Sequence, residues 1–78
     1  MPKKSNHSIH VIEINHEPVE LHKILKFEGL VESGAQAKLV IADGLVHVNG
    51  EQETRKRRKM MNGDTIHFAD QNFVLQLI

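Results

Sequence analysis

Val46-His47-Val48-Asn49-Gly50-Glu51 and, further on, Gly63-Asp64-Thr65-Ile66 decide the fold of this chain. Asn-Gly between apolar alternations is a strong hairpin signal, because both central residues of the turn need positive φ. The first stretch therefore predicts a short strand over residues 45–48, a tight turn, and a returning strand over residues 51–59. Asn62-Gly63-Asp64 marks a second turn. Two further strands follow, over residues 65–69 and 73–77, joined across Asp70-Gln71-Asn72.

Working outward, the segment upstream of the hairpin has helical spacing. Leu21, Ile24 and Leu25 lie three and four apart, as one buried helix face requires. Pro18 suits a first turn, where a missing N–H loses no partner. The first helix is thus expected over residues 18–28, with Val19, Lys23 and Lys26 on its outer side and Gly29 ending it. Ser33 and Gln36 form a capping box for a second helix. Ala37, Val40 and Ile41 form its inner stripe, Lys38 flanks that stripe, and Gly44 closes it. Before both helices, Ile9 to Ile14 is short and β-branched, and reads as a strand with Ile9 and Val11 on one face and Ile12 and Ile14 on the other. Residues 1–8 are polar and read as a flexible N-terminal tail ahead of one domain, residues 9–78.

Length and composition bound the function. Seventy-eight residues suit one domain with a thin core, which disfavours a deep substrate pocket. No apolar run approaches the roughly 20 residues that span a bilayer. The lysines near the N-terminus have no apolar run after them, so no secretory signal is read there. Cysteine is absent, which removes disulfides, thiolate nucleophiles and cysteine-bound zinc. A cytoplasmic location is the expectation.

Formal net charge is zero, yet half of the ten lysines and arginines sit in one run, Arg55-Lys56-Arg57-Arg58-Lys59. A neutral total can hide a strong local patch. On a strand, Arg55, Arg57 and Lys59 would share one face, and Lys56 and Arg58 the other. Like charges held so close repel, and a phosphate backbone would relieve that repulsion. Arginine also forks onto phosphate oxygens. A solvated edge strand guarded against aggregation explains the same run without a ligand.

Other chemistry finds little support. The six histidines show no ligand spacing, and His7-x-x-His10 would hold a metal only weakly. Ser33 serves as a cap and Asp64 as a turn residue. Glu51 and Glu53 are expected on an exposed strand, where nothing raises a carboxyl pKa. Met60-Met61 reads as core filler. No glycine-rich phosphate loop is present. Phe27, Phe68 and Phe73 are the only aromatics apart from histidine, and no base-stacking platform is visible.

The order of these elements resembles a known family. Leu21-x-x-Ile24-Leu25, Ser33-Gly34-Ala35-Gln36-Ala37-Lys38, Ile41, Gly44-x-Val46-x-Val48-Asn49-Gly50-Glu51 and Gly63-Asp64-x-Ile66 resemble the alpha-L RNA-binding motif. That domain is shared by ribosomal small-subunit protein four, several pseudouridine synthases and some tRNA synthetases. The stretches 25–29, 32–38 and 53–57 look like the stand-alone YbcJ-like proteins in particular. The resemblance implies an α+β fold: a two-helix motif packed on a small, bent, mostly antiparallel sheet with an N-terminal strand. It implies that RNA lies against the helix pair and the adjoining hairpin. Many family members carry arginine where this chain has Glu20, and a basic residue where it has Gly34. Those departures shift the expected contact toward the 55–59 run.

The sequence thus leads to a non-catalytic, monomeric protein that binds structured RNA, ribosomal or a precursor, mainly through phosphates. The candidate binding residues are Lys26, Gln36, Lys38, Arg55, Lys56, Arg57, Arg58 and Lys59. No cofactor, metal, membrane or small-molecule substrate is implied. The rival is a protein-interaction module whose basic run docks on an acidic partner.

Overall fold

The structure, a computed structural model, describes residues 9–78. The expected tail and the His7-x-x-His10 pair therefore lie outside or partly outside the described residues. Strand β1 is Ile9–Ile14, followed by the two-residue β2, Val19–Glu20. Helices α1 (Leu21–Phe27) and α2 (Gly34–Ala42) come next. The rest is β: β3 His47–Val48, β4 Glu51–Gln52, β5 Lys59–Met60, β6 Thr65–Phe68 and β7 Gln71–Leu77.

Five strands form one sheet in the order β1-β7-β6-β3-β4. Only β1 and β7 run parallel within it; the other pairs are antiparallel. Strands β2 and β5 make a separate two-stranded ladder, Val19 opposite Met60 and Glu20 opposite Lys59. The expected mostly antiparallel α+β architecture is what the chain adopts.

The core lies between the helix pair and the inner sheet face. Leu21, Ile24 and Leu25 of α1 and Ala37 and Ile41 of α2 are buried against Ile12, Val48, Met60, Ile66 and Leu75. Burial of each large aliphatic among them contributes about 1.5–3 kcal/mol. The alternation of β1 resolves cleanly: Ile12 and Ile14 face inward, while Ile9 and Val11 are exposed.

The helix ends follow the sequence signals. Gln36 N–H donates to Ser33 Oγ at 3.1 Å, while Gln36 Oε1 accepts from Glu32 N–H at 2.7 Å. Both helices stop on a glycine in the left-handed region, Gly29 (φ 72°) and Gly44 (φ 79°). In each case the following residue, Leu30 or Leu45, donates back to the carbonyl five positions earlier, which is the Schellman arrangement. Asn49 and Gly50 both have positive φ, 52° and 85°, as the hairpin turn demands.

Four expectations need correction. The first helix begins at Leu21 rather than Pro18, because Val19-Glu20 pairs with β5 and buries Val19. The strand before the hairpin begins at His47, with Leu45 exposed. The last hairpin turns on Ala69-Asp70, both at positive φ (54° and 62°), so Gln71 and Asn72 already belong to β7. The returning strand expected over 51–59 is broken: β4 ends at Gln52, and the chain is irregular until Lys59.

Candidate nucleic-acid interface

The basic run is a turn, and a buried carboxylate organises it. Arg58 N–H donates to Arg55 O at 3.3 Å, which places Lys56 and Arg57 at the tip. Glu53 is only 6% exposed. Its Oε2 accepts from the backbone N–H and Nε–H of Arg55, both at 2.9 Å. Its Oε1 accepts from Arg55 Nη2 and Arg58 Nη1, also at 2.9 Å. These bonds, led by that from the Arg55 guanidinium, hold the Glu53 carboxyl down at about 2. The expectation of an exposed Glu53 beside five outward cations is thereby overturned. Arg55 and Arg58 are tied to Glu53, and Arg58 Nε is itself buried without a partner among the described residues.

The turn also holds the first helix. Helix α1 has no side-chain N-cap. Instead, Leu21 N–H donates to Arg58 O at 2.9 Å and His22 N–H to Lys56 O at 3.1 Å. Two of the N–H groups that a helix start leaves open are satisfied this way. The basic turn and α1 are therefore fixed to each other through backbone bonds that do not depend on the cationic side chains.

Beside the turn, the two helices frame a groove of about 810 Å³. Lys23 and Lys26 of α1, Lys38 of α2 and Lys59 of β5 line it, together with His16, Glu20, His22 and Phe27. Arg55, Arg57, Arg58 and Lys59 line a second, shallower concavity of about 600 Å³. Lys59 belongs to both, so the two form one track. Among the described residues, Lys23, Lys26, Lys38, Lys56, Arg57 and Lys59 form no ion pair. Glu20 is the one carboxylate set among the groove cations, so positive charge is in excess along the track and its field favours an anion.

The sequence-predicted residues divide accordingly. Lys26, Lys38 and Lys59 come together at the groove, and Lys56 and Arg57 occupy the tip of the turn. Arg55 borders the second concavity but also grips Glu53, with 72% of its side-chain surface still exposed. Arg58 is mostly structural, its side chain 28% exposed. Gln36 does not line the groove; its carbonyl oxygen is used in capping α2. Two groove residues went unnoticed in the sequence. Lys23 had been placed on the outer helix face without a role. Phe27 is 72% exposed at the groove, a single aromatic face where no stacking platform was expected.

Glu20 is the one carboxylate lining the groove. Its Oε1 lies 2.8 Å from His22 Nε2, which must carry the donated proton because a carboxylate only accepts. The His22 bond keeps the Glu20 carboxyl below its ordinary value, with weaker help from Lys23 and Arg57.

Among the described residues no cluster of metal-ligating side chains is found, and no helix is long and apolar enough to cross a membrane.

Known proteins are similar to this chain in sequence and fold. "Putative RNA-binding protein YbcJ" of Escherichia coli (strain K12) is 57% identical over 54 residues, 69% of this chain and 77% of that protein. "Probable ribosome maturation protein RlbA" of Bacillus subtilis (strain 168) is 34% identical over 55 residues, 70% of this chain and 78% of the relative. The solution structure of YbcJ from E. coli, described as revealing an alfaL motif involved in RNA-binding, matches with a TM-score of 0.69 and 40% identity, covering 97% of this chain and 98% of that one. Residues 12–76 match the family described as S4 domain. The helix pair, the Asn49-Gly50 hairpin and the mixed five-stranded sheet match the alpha-L fold of the YbcJ structure, and this chain belongs to the S4 domain family.

Proposed function

We propose that this chain binds structured RNA, ribosomal or a precursor, through phosphate contacts along the track from Lys38 to Arg57. One observation carries the reading: cations from α1, α2, β5 and the 55–58 turn meet around Lys59, and five of them, Lys23, Lys26, Lys38, Arg57 and Lys59, form no ion pair among the described residues. Phosphates spaced along a folded backbone match several fixed cations better than a single small anion does. The names of the E. coli and B. subtilis relatives, an RNA-binding protein and a ribosome maturation protein, support the choice of ribosomal RNA. The reading takes residues 9–78 as one domain that acts as a monomer in the cytoplasm. It assigns no catalytic step and requires no cofactor.

Titration of a folded ribosomal RNA fragment across a salt series tests it. Each phosphate neutralised should contribute about 0.7–0.9 to the slope of log affinity against log salt. With five or more contacts, affinity falls steeply with salt and depends little on duplex sequence. Affinity that ignores salt would contradict the phosphate reading, and protein partners that persist after nuclease treatment while no RNA is retained would favour docking on an acidic protein instead.

A further inference from the structure

We propose that Glu20 gives the groove a base-reading function: it accepts the Watson–Crick edge of one unpaired guanine while the surrounding lysines hold the flanking phosphates. The inference rests on the reading of the chain as an RNA binder and deepens it.

A groove meant for phosphate alone gains nothing from a carboxylate, which repels the ligand. Yet Glu20 lines this one, amid Lys23, Lys26, Lys38 and Lys59. It is not consumed by them, since its only ion-pair partner among the described residues is His22. Nothing among the described residues donates to Glu20 Oε2, and Oε1 keeps a second lone pair beside the His22 bond. The side chain is 31% exposed and lines the groove, where a ligand can reach it. Its neighbour His22, 11% exposed, fixes its orientation.

A carboxylate only accepts hydrogen bonds, so its ligand must present donors. Guanine alone among the four bases offers two adjacent donors on that edge, N1–H and the N2 amino group, and two oxygens of one carboxylate match them side by side. Adenine and cytosine place a ring acceptor next to their amino group, and uracil flanks its N3–H with two carbonyls. Each of these would set an acceptor against the second oxygen. Position on the helix completes the site. Lys23 and Phe27, four residues apart, stand on one side of α1, and Glu20, the extended residue that leads into the helix, lines the same groove. The exposed Phe27 ring then lies on the same groove as the carboxylate and offers a face for an unstacked base. The base must be unpaired, because in a duplex this edge is already used.

The experiment uses the full chain and hairpin RNAs that differ at one bulged nucleotide: guanine, inosine, adenine or cytosine. Inosine keeps N1–H and lacks only the amino group. Binding is read by fluorescence anisotropy across a salt series, and affinities are compared at equal salt. Wild-type protein should bind the guanine bulge about tenfold or more tighter than the inosine bulge. Glu20→Gln should bind guanine and inosine within about twofold of each other, and the inosine RNA at least as tightly as wild type does, since a negative charge has left the groove. Phe27→Ala should weaken binding to every bulged RNA with the salt slope unchanged. Equal wild-type affinity for guanine and inosine overturns the proposal without any variant having to fold, and a preference that survives Glu20→Gln overturns it too. Salt-dependent binding that is blind to the bulged base sinks this inference alone. Absence of salt-dependent binding to all four RNAs sinks the RNA reading itself.

Discussion

Glu53 holds Arg58 by a 2.9 Å bond from Nη1 to Oε1 inside the turn that the sequence presents as a bare run of positive charge. The same carboxylate grips Arg55 with both oxygens, so one buried acid orders the two arginines that bracket the tip. Removing the charge while keeping the shape, with Glu53→Gln, leaves clustered cations without their counter-charge. We expect a loss of about 2 kcal/mol in unfolding free energy, less than for a fully buried pair because Arg55 can turn to solvent. Glu51→Gln, on an exposed side chain, should change stability by less than about 0.5 kcal/mol. Urea unfolding of both variants decides it; equal stability would mean that the ion cluster does not order the turn.

The same group sets an acid limit. The folded state holds Glu53 at about 2, below the ordinary value of 4.5, so the folded protein binds this proton less readily than the unfolded chain. Its stabilisation is complete above about pH 4.5 and fades as pH falls toward 2. The full depression corresponds to at most about 3 kcal/mol, and solvent around Arg55 screens part of it. In urea series from pH 6 to pH 2, the gap between wild type and Glu53→Gln should therefore narrow with acidification. A gap that stays constant would place the origin of the stabilisation elsewhere.

Asn49 ties the hairpin to the next strand. Its Oδ1 accepts from Thr65 N–H at 2.9 Å, and its Nδ2 donates to Asp64 Oδ1 at 3.1 Å, with its own backbone at φ 52°. Asn49→Ala should cost about 2 kcal/mol, from backbone strain and the lost bonds together. Asn49→Gly restores the conformational freedom but not the bonds, and should fall between the two in thermal unfolding. A glycine variant no more stable than the alanine one would remove the strain component from this explanation.

Met60 and Met61 separate what the sequence disclosed from what it concealed. Both read as core filler, but Met60 is fully buried and Met61 is 48% exposed. Met60→Ala should destabilise by about 2–4 kcal/mol and Met61→Ala by less than about 1 kcal/mol, measured by urea unfolding. Similar losses for the two would contradict the assigned β5 facing. The second helix was legible because Ser33, Gln36 and Gly44 mark its ends within a dozen residues, and Asn49-Gly50 needed no distant contact to be read as a turn. Strand β2 was hidden because two residues carry no periodicity, and its existence depends on Lys59-Met60 some forty positions later. The basic run was misread as a strand for a related reason. Only burial of Glu53 bends it into a turn, and composition assigns no depth to a glutamate. Phe27 was missed because an aromatic in a small domain is ordinarily core, and the groove that exposes it exists only once the two helices pack.

The salt dependence of RNA binding by Lys56→Gln/Arg57→Gln/Lys59→Gln, set against wild type, tests the central claim most directly. These three cations form no ion pair among the described residues, so the variant should keep the wild-type unfolding midpoint. Its affinity for a folded RNA should fall at low salt, and the slope of log affinity against log salt should be shallower by about two. An unchanged slope with unchanged affinity would contradict the account, because the track through Lys59 would then make no contact with the phosphate backbone.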